Sequence, residues 1–189
     1  MSATSIMIVG VGGQGTLLAS KLLGNVLLGA GYDVKLSEGP GMSQRGGSVV
    51  TFVTYGDRVL SPIGDQGEAD YILSFEILES ARWISYLKEG GHLITNTQKT
   101  WPMPVITGVA AYPENIVEKL SEMEDVTAVD ALALAEQAGS AKAVNVVLIG
   151  VLSRRMDIPE AAWIKAIEET VPAKFLELNK RAFQLGREV

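Results

Sequence analysis

The 189-residue sequence predicts an α/β fold, a three-layer α/β/α open sheet in a single domain spanning residues 1–189. Three observations carry that expectation. Short apolar runs ending in glycines alternate with stretches of helical period. A glycine turn, Gly10-x-Gly12-x-x-Gly15, joins the first apolar run to the first helical stretch, the strand–turn–helix of Rossmann-like sheets. The end of the chain is helical by pattern, which supplies cover for both faces of a sheet. Hydrophobic residues at 47% and charged residues at 20% are ordinary for a folded chain and argue against disorder.

The elements follow in order. Ile6 to Val9 is a buried strand by its apolar run. Gln14 to Ala30 is a helix: Leu18, Leu22 and Val26 recur at helical spacing, Lys21 and Asn25 form a narrow polar stripe, and Gly29 and Gly31 stop it. Asp33 to Glu38 alternates as a second strand. After the loop GPGMSQRGG, SVVTFVTYG is β-branched and aromatic, a strand by propensity. Gly56-Asp57 ahead of RVLSPI predicts a hairpin. ADYILSF is a strand that runs into a helix from Glu76 to Lys88, with Gly90-Gly91 as its stop. HLITN is a strand, and PENIVEKLSEM is a helix with Pro113 in its first turn. VTAVD is the last strand. Helices occupy the chain from Ala131 onward, with breaks at Ser140 to Lys142, at Asp157-Ile158-Pro159 and near Pro172.

Charge and composition remove several functions. A net charge of −6 and a pI of about 4.9 speak against nucleic-acid binding by clustered Lys and Arg. No cysteine means no disulfide, no thiolate nucleophile and no Cys-ligated iron–sulfur cluster on this chain. The single histidine, His92, leaves no His-based metal site and reads as a strand-edge residue. MSATSIMIVG lacks a basic region and a cleavage site, so no signal peptide is expected. The most apolar stretch, Thr16 to Ala30, is too short and too polar to cross a bilayer. The expectation is a soluble cytoplasmic protein with no membrane and no nucleic-acid partner.

Two glycine segments carry the chemistry. In the first, Gly10, Gly12, Gly13, Gln14 and Gly15 make a sharp turn into a helix whose N–H groups and dipole favour a phosphate. Glu38, roughly 20 residues on, sits where a ribose-binding carboxylate is placed in dinucleotide sheets. Glycines that serve only tight packing give the same pattern. In the second, Ser43, Gln44, Arg45 and Gly46 follow the second strand and fall on the same sheet edge, where ligands of such sheets bind. Arg45 offers a planar fork for a phosphate or carboxylate, against the simpler option of a solvated arginine. Gly64-Asp65-Gln66 does not match a thiamine diphosphate motif and reads as a turn. Arg154-Arg155 reads as a solvated helix face. Trp83, Trp101 and Trp163 read as core or interface residues. No residue stands out as a catalytic acid, base or nucleophile.

Together, Val9-Gly10-Val11-Gly12-Gly13-Gln14-Gly15 and Gly41-Met42-Ser43-Gln44-Arg45-Gly46-Gly47-Ser48-Val49 resemble the gamma-type subunit of 2-oxoacid:ferredoxin oxidoreductases, the indolepyruvate type in particular. Ser61-Pro62, Asp130-Ala131, Asn145 with Gly150, and Asn179, Ala182, Phe183 and Gly186 near the end extend the likeness over nearly the whole chain. The resemblance implies a hetero-oligomer that oxidatively decarboxylates a 2-oxoacid to an acyl-coenzyme A and passes electrons to ferredoxin. It implies that a large partner subunit holds thiamine diphosphate, Mg²⁺ and the iron–sulfur clusters, and that this chain holds no cofactor alone. The site residues it implies are those of the two glycine segments, shaping the coenzyme A region. Arg45→Ala is then expected to lower coenzyme A dependent turnover without unfolding the chain. An exposed apolar patch on the glycine-turn edge is the expected sign of a partner. Two other classes stay open: a stand-alone NAD- or FAD-binding enzyme, and a non-catalytic nucleotide-binding module.

Overall fold

The computed structural model describes residues 3–38, 47–62 and 64–189. Among them six strands form one sheet in the order β2-β3-β1-β4-β5-β6. The strands are β1 (Thr4–Val11), β2 (Asp33–Glu38), β3 (Ser48–Gly56), β4 (Ala69–Ser74), β5 (Leu87–Asn96) and β6 (Asp125–Val129). The described residues also form the α-helices α1 (Thr16–Gly29), α2 (Ile77–Trp83), α3 (Met103–Ile106), α4 (Ile116–Ser121), α5 (Ala131–Ala138), α6 (Val144–Ser153), α7 (Glu160–Thr170) and α8 (Leu176–Arg187).

The alternation along β1 explains the three layers. Ile6 and Ile8 point to one face and join α1, α5, α6, α7 and α8 in the larger core. Met7 and Val9 point to the other and pack with Ile77 of α2 and with Ile116 and Leu120 of α4. Side chains of a strand alternate between faces, so a strand apolar on both must be covered on both. The expected α/β/α sandwich is therefore present.

The sheet is mixed. β4, β5 and β6 run parallel to β1, whereas β3 lies antiparallel between β1 and β2. This placement accounts for the expected hairpin that does not form. β3 is paired along its length with β1 on one side and β2 on the other, so no edge is left for RVLSPI. That segment is held instead by Val59 N–H donating to Asp33 Oδ2 at 2.8 Å and Thr54 Oγ1 donating to the Pro62 carbonyl at 3.2 Å.

Two helix boundaries also differ. α2 ends at Trp83, far short of Lys88, because Leu87 already pairs with Ala69 of β4. Gly90 and Gly91 sit inside β5 at a register shift and are not a helix stop. A Cβ on Gly91 would come within 2.8 Å of the Lys88 carbonyl oxygen and 3.1 Å of that of Ala69. α1 begins at Thr16, not Gln14, because Gln14 is used in the turn. The breaks at Ser140, at residues 157–159 and at Pro172 fall where the sequence puts them, with Ser140 Oγ accepting from Lys142 N–H at 3.2 Å. No helix among the described residues is long and apolar enough to cross a membrane.

Candidate functional site

The carboxyl ends of β1, β2, β4, β5 and β6 and the start of β3 share one sheet edge. The glycine turn sits on it, between β1 and α1. Gln14 N–H donates to the Val11 carbonyl at 3.2 Å. The Gln14 side chain folds back: Oε1 accepts from Val11 N–H at 2.7 Å and Nε2 donates to the Phe75 carbonyl at 3.5 Å. That fold explains Gly10, where a Cβ would lie 2.9 Å from Gln14 Oε1 and 3.0 Å from Phe75 Cβ. Gly15 precedes α1 with φ +86°, and its Cβ would lie 2.9 Å from Asn145 Nδ2. Gly13 is exposed, with φ +97° and open space where a Cβ would be.

The first intrahelical bond of α1 runs from Ala19 N–H to the Gly15 carbonyl at 3.2 Å, and no side chain caps the helix among the described residues. The N–H groups of Thr16, Leu17 and Leu18 therefore lack an intrahelical partner and point toward the turn. With the positive end of the helix dipole they form the electropositive part of this edge.

A second set of groups stands beside the turn. Gly12 N–H donates to the Gly47 carbonyl at 2.9 Å, which ties the turn to the residue before β3. Ser48 Oγ donates to Glu79 Oε2 and accepts from Trp83 Nε1 at 3.1 Å. Trp83 Nε1 also lies 3.2 Å from Glu79 Oε2, and Arg82 Nε is 3.1 Å from Glu79 Oε1. Glu76, only 1% exposed, caps α2 by accepting from Glu79 N–H at 2.9 Å. Its other oxygen accepts from Thr100 N–H at 2.9 Å and Tyr112 OH at 2.6 Å. Burial, and then the hydrogen bond to the Glu76 carboxylate, push the Tyr112 phenol well above its usual range. The phenol is thus a permanent donor to Glu76. Asn96 Nδ2 donates to the Phe75 carbonyl at 3.2 Å and its Oδ1 accepts from Ala131 N–H at 3.2 Å, which joins β4, β5 and α5 at the same level.

Of the residues expected in the site, Gly10, Gly12, Gly13, Gln14 and Gly15 are together on this edge. Ser43, Gln44, Arg45 and Gly46 lie outside the described residues, between a strand that ends on the edge and one that begins there. Glu38 ends β2 on this edge, but β3 separates it from β1. Two strand spacings put it about 10 Å to the side of the turn. The sequence reading missed Glu76, Glu79, Ser48, Asn96 and Tyr112. The available signal was Glu-x-x-Glu directly after a strand, two carboxylates in the first turn of a helix.

The segment after β5 exposes Trp101, Met103, Ile106 and Val109, the last 82% exposed. It is anchored on the same edge by Thr100 and Tyr112 through Glu76. These are exposed apolar side chains close in sequence, on the segment that follows the carboxyl end of β5. Trp163 is fully buried, stacked on Phe183 at 6.1 Å, and Trp83 is half-buried.

The opposite edge is different in kind. His92 is buried within β5, which lies between β4 and β6, so it is not on an outer strand of the sheet. Its Nδ1 is 2.7 Å from Asp125 Oδ2 and its Nε2 is 2.9 Å from Thr127 Oγ1. Burial lowers the imidazole below its usual range despite Asp125, and the neighbouring imidazole lowers Asp125. Arg155 reaches Asp125 at 3.4 Å, and Arg154 Nη1 donates to the Arg187 carbonyl at 3.0 Å, so this pair does more than face solvent. Gly64 to Glu68 form a turn closed by Glu68 N–H on the Asp65 carbonyl at 3.3 Å, as expected. Among the described residues no three side chains of metal-ligand type gather anywhere.

Comparison with known proteins places this architecture. The family model described as pyruvate ferredoxin/flavodoxin oxidoreductase matches residues 5–189. A protein of Pyrococcus horikoshii named indolepyruvate oxidoreductase subunit IorB is 44% identical, over 98% of this chain and 95% of its own. The protein of that name from Thermococcus kodakarensis is 43% identical with the same coverage. The crystal structure of a keto/oxoacid ferredoxin oxidoreductase gamma subunit from Geobacter sulfurreducens superposes with a TM-score of 0.73 at 26% identity, over 98% of this chain and 96% of that one. Matched from end to end in fold and sequence, the chain belongs to the pyruvate ferredoxin/flavodoxin oxidoreductase family, as one of its gamma-type chains.

Proposed function

We propose that this chain is the small subunit of a cytoplasmic oxidoreductase that converts an aryl 2-oxoacid such as indolepyruvate to its acyl-coenzyme A and reduces ferredoxin. A large partner subunit holds thiamine diphosphate with its Mg²⁺ and the iron–sulfur clusters. This chain contributes the glycine-turn edge to the coenzyme A region. The choice of an aryl substrate rests on the names of the relatives. The observation that carries the rest is the meeting, on one edge, of an open glycine turn at an uncapped helix and an exposed apolar segment.

The residues fit a phosphate group of coenzyme A and do not fit a cluster. The chain has no cysteine for iron. The N–H groups of the first turn of α1 are donors aimed outward, and Gly13 leaves their approach open. Coenzyme A supplies the thiol that accepts the acyl group. The chain's own part is to bind, to orient, and to exclude water where the partner covers Trp101 to Val109. The dinucleotide alternative loses its ribose carboxylate, because β3 stands between Glu38 and the turn.

Purification of the tagged chain from its own cell, with mass spectrometry and an absorbance spectrum, tests this. A large co-eluting chain, a brown iron–sulfur spectrum and bound thiamine diphosphate are expected. A lone chain carrying NAD or FAD overturns the proposal.

A further inference from the structure

We propose that Glu79 is a positioning residue for the glycine turn, acting through Ser48. This rests on the proposed role of the turn toward coenzyme A. The turn is held on two sides. On one, the Gln14 side chain spans Val11 N–H and the Phe75 carbonyl. On the other, the bond from Gly12 N–H to the Gly47 carbonyl at 2.9 Å extends the β1–β3 ladder into the turn. Where that carbonyl lies depends on Ser48, the first residue of β3, which pairs with Val11 at the last rung of the β1–β3 ladder.

Besides that backbone pairing, Ser48 is held by its side chain. Its hydroxyl gives its proton to Glu79 Oε2 and receives one from Trp83 Nε1 at 3.1 Å. Glu79 is 4% exposed, far more buried than a carboxylate on a helix surface needs to be. Its second oxygen takes Arg82 Nε at 3.1 Å, and its backbone N–H is held by Glu76 at 2.9 Å. A buried carboxylate held by its own helix through Arg82 and Trp83, and reaching out of it to the Ser48 hydroxyl alone, ties the start of β3 to α2. Removing it frees Ser48, loosens the Gly47 carbonyl and lets the Gly12–Gly13 peptide turn away from the helix axis.

The test uses the reconstituted two-subunit enzyme, with KM for coenzyme A, KM for the 2-oxoacid and kcat measured separately. Glu79→Ala and Ser48→Ala are each expected to raise KM for coenzyme A about tenfold, the scale of one charge-assisted hydrogen bond. KM for the 2-oxoacid and kcat stay within about twofold. Glu79→Gln keeps an acceptor for Ser48 and is expected to restore most of the affinity. The double alanine variant is no worse than either single one, because both act through one link. Unchanged KM for coenzyme A in Ser48→Ala, or singles that simply add, overturns the role; Ser48→Ala alone decides if Glu79→Ala does not fold. Wild-type enzyme that turns over without needing coenzyme A overturns the underlying function as well.

Discussion

Gln14 shows how a polar residue inside a glycine turn can work inward. Its side chain closes the turn on Val11 and Phe75, so the surface offered to a ligand is backbone. Gly15 is next to it in the same construction. Gly15→Ala is expected to cost about 1–2 kcal/mol, from the left-handed backbone and the contact with Asn145. Asn145→Ala in the same chain should recover the steric part but not the backbone part, as denaturant titrations of the two variants would show. Glu76 makes a sharper case. Glu76→Ala leaves Tyr112 OH and Thr100 N–H without their acceptor, and it is expected to destabilise by about 3 kcal/mol. Fluorescence of Trp101 should report loosening of the 97–112 segment. Tyr112→Phe, which keeps the ring, should cost less. His92 fixes a pH dependence. Burial holds its folded-state pKa below the unfolded value, so the unfolded chain takes up the proton first. Stability is then complete above about pH 6.5 and declines as pH falls below it. Asp125 has the lowered carboxylate pattern, whose contribution is lost only in stronger acid. His92→Gln should flatten the decline between neutral and mildly acidic pH; an unchanged pH profile would contradict the assignment.

Elements were legible where one local pattern decided them. The glycine turn, α1, β4 and the helix breaks near residues 140, 158 and 172 follow from turn and cap chemistry near in sequence. β3 was legible as a strand but not as a strand inserted between β2 and β1, because pairing partners are set by the whole sheet. The same insertion removed the hairpin and moved Glu38 away from the turn. The end of α2 was illegible for a related reason: Leu87 prefers a sheet partner that only the fold supplies. Gly150 and Gly186 show the reverse, small residues in helices whose purpose appears only at the α6–α8 crossing. A Cβ on Gly186 would lie 2.1 Å from the Val147 carbonyl oxygen, and one on Gly150 2.3 Å from that of Phe183. Gly186→Ala is expected to force the two helices apart at a cost of about 3 kcal/mol, which lowers the melting temperature by about 10 °C. Calorimetry showing a shift within about 1 °C would mean the crossing is not as close as described.

At the scale of the molecule, the two ends of the sheet differ in composition. The end with His92, Asp125 and Arg155 carries the buried imidazole against the Asp125 carboxylate and one exposed Asp125–Arg155 ion pair. The end with the glycine turn carries, among the described residues, the turn itself and the exposed side chains of Trp101, Met103, Ile106 and Val109. Much of this division could be read from sequence: the turn, the absence of cysteine and the family likeness together point to a chain that serves a partner. The buried Glu76–Glu79 network could not, since two carboxylates near a helix start look like surface residues until Tyr112, Thr100 and Ser48 arrive from distant segments. The central claim is that the glycine-turn edge is one side of a shared active site. Hydrogen–deuterium exchange of the chain alone and within its complex tests it most directly. The account predicts that complex formation protects residues 12–18 and 97–112 and leaves the His92 edge unchanged. Protection confined to the His92 edge, or protection of the turn by NAD on the chain alone, would contradict it.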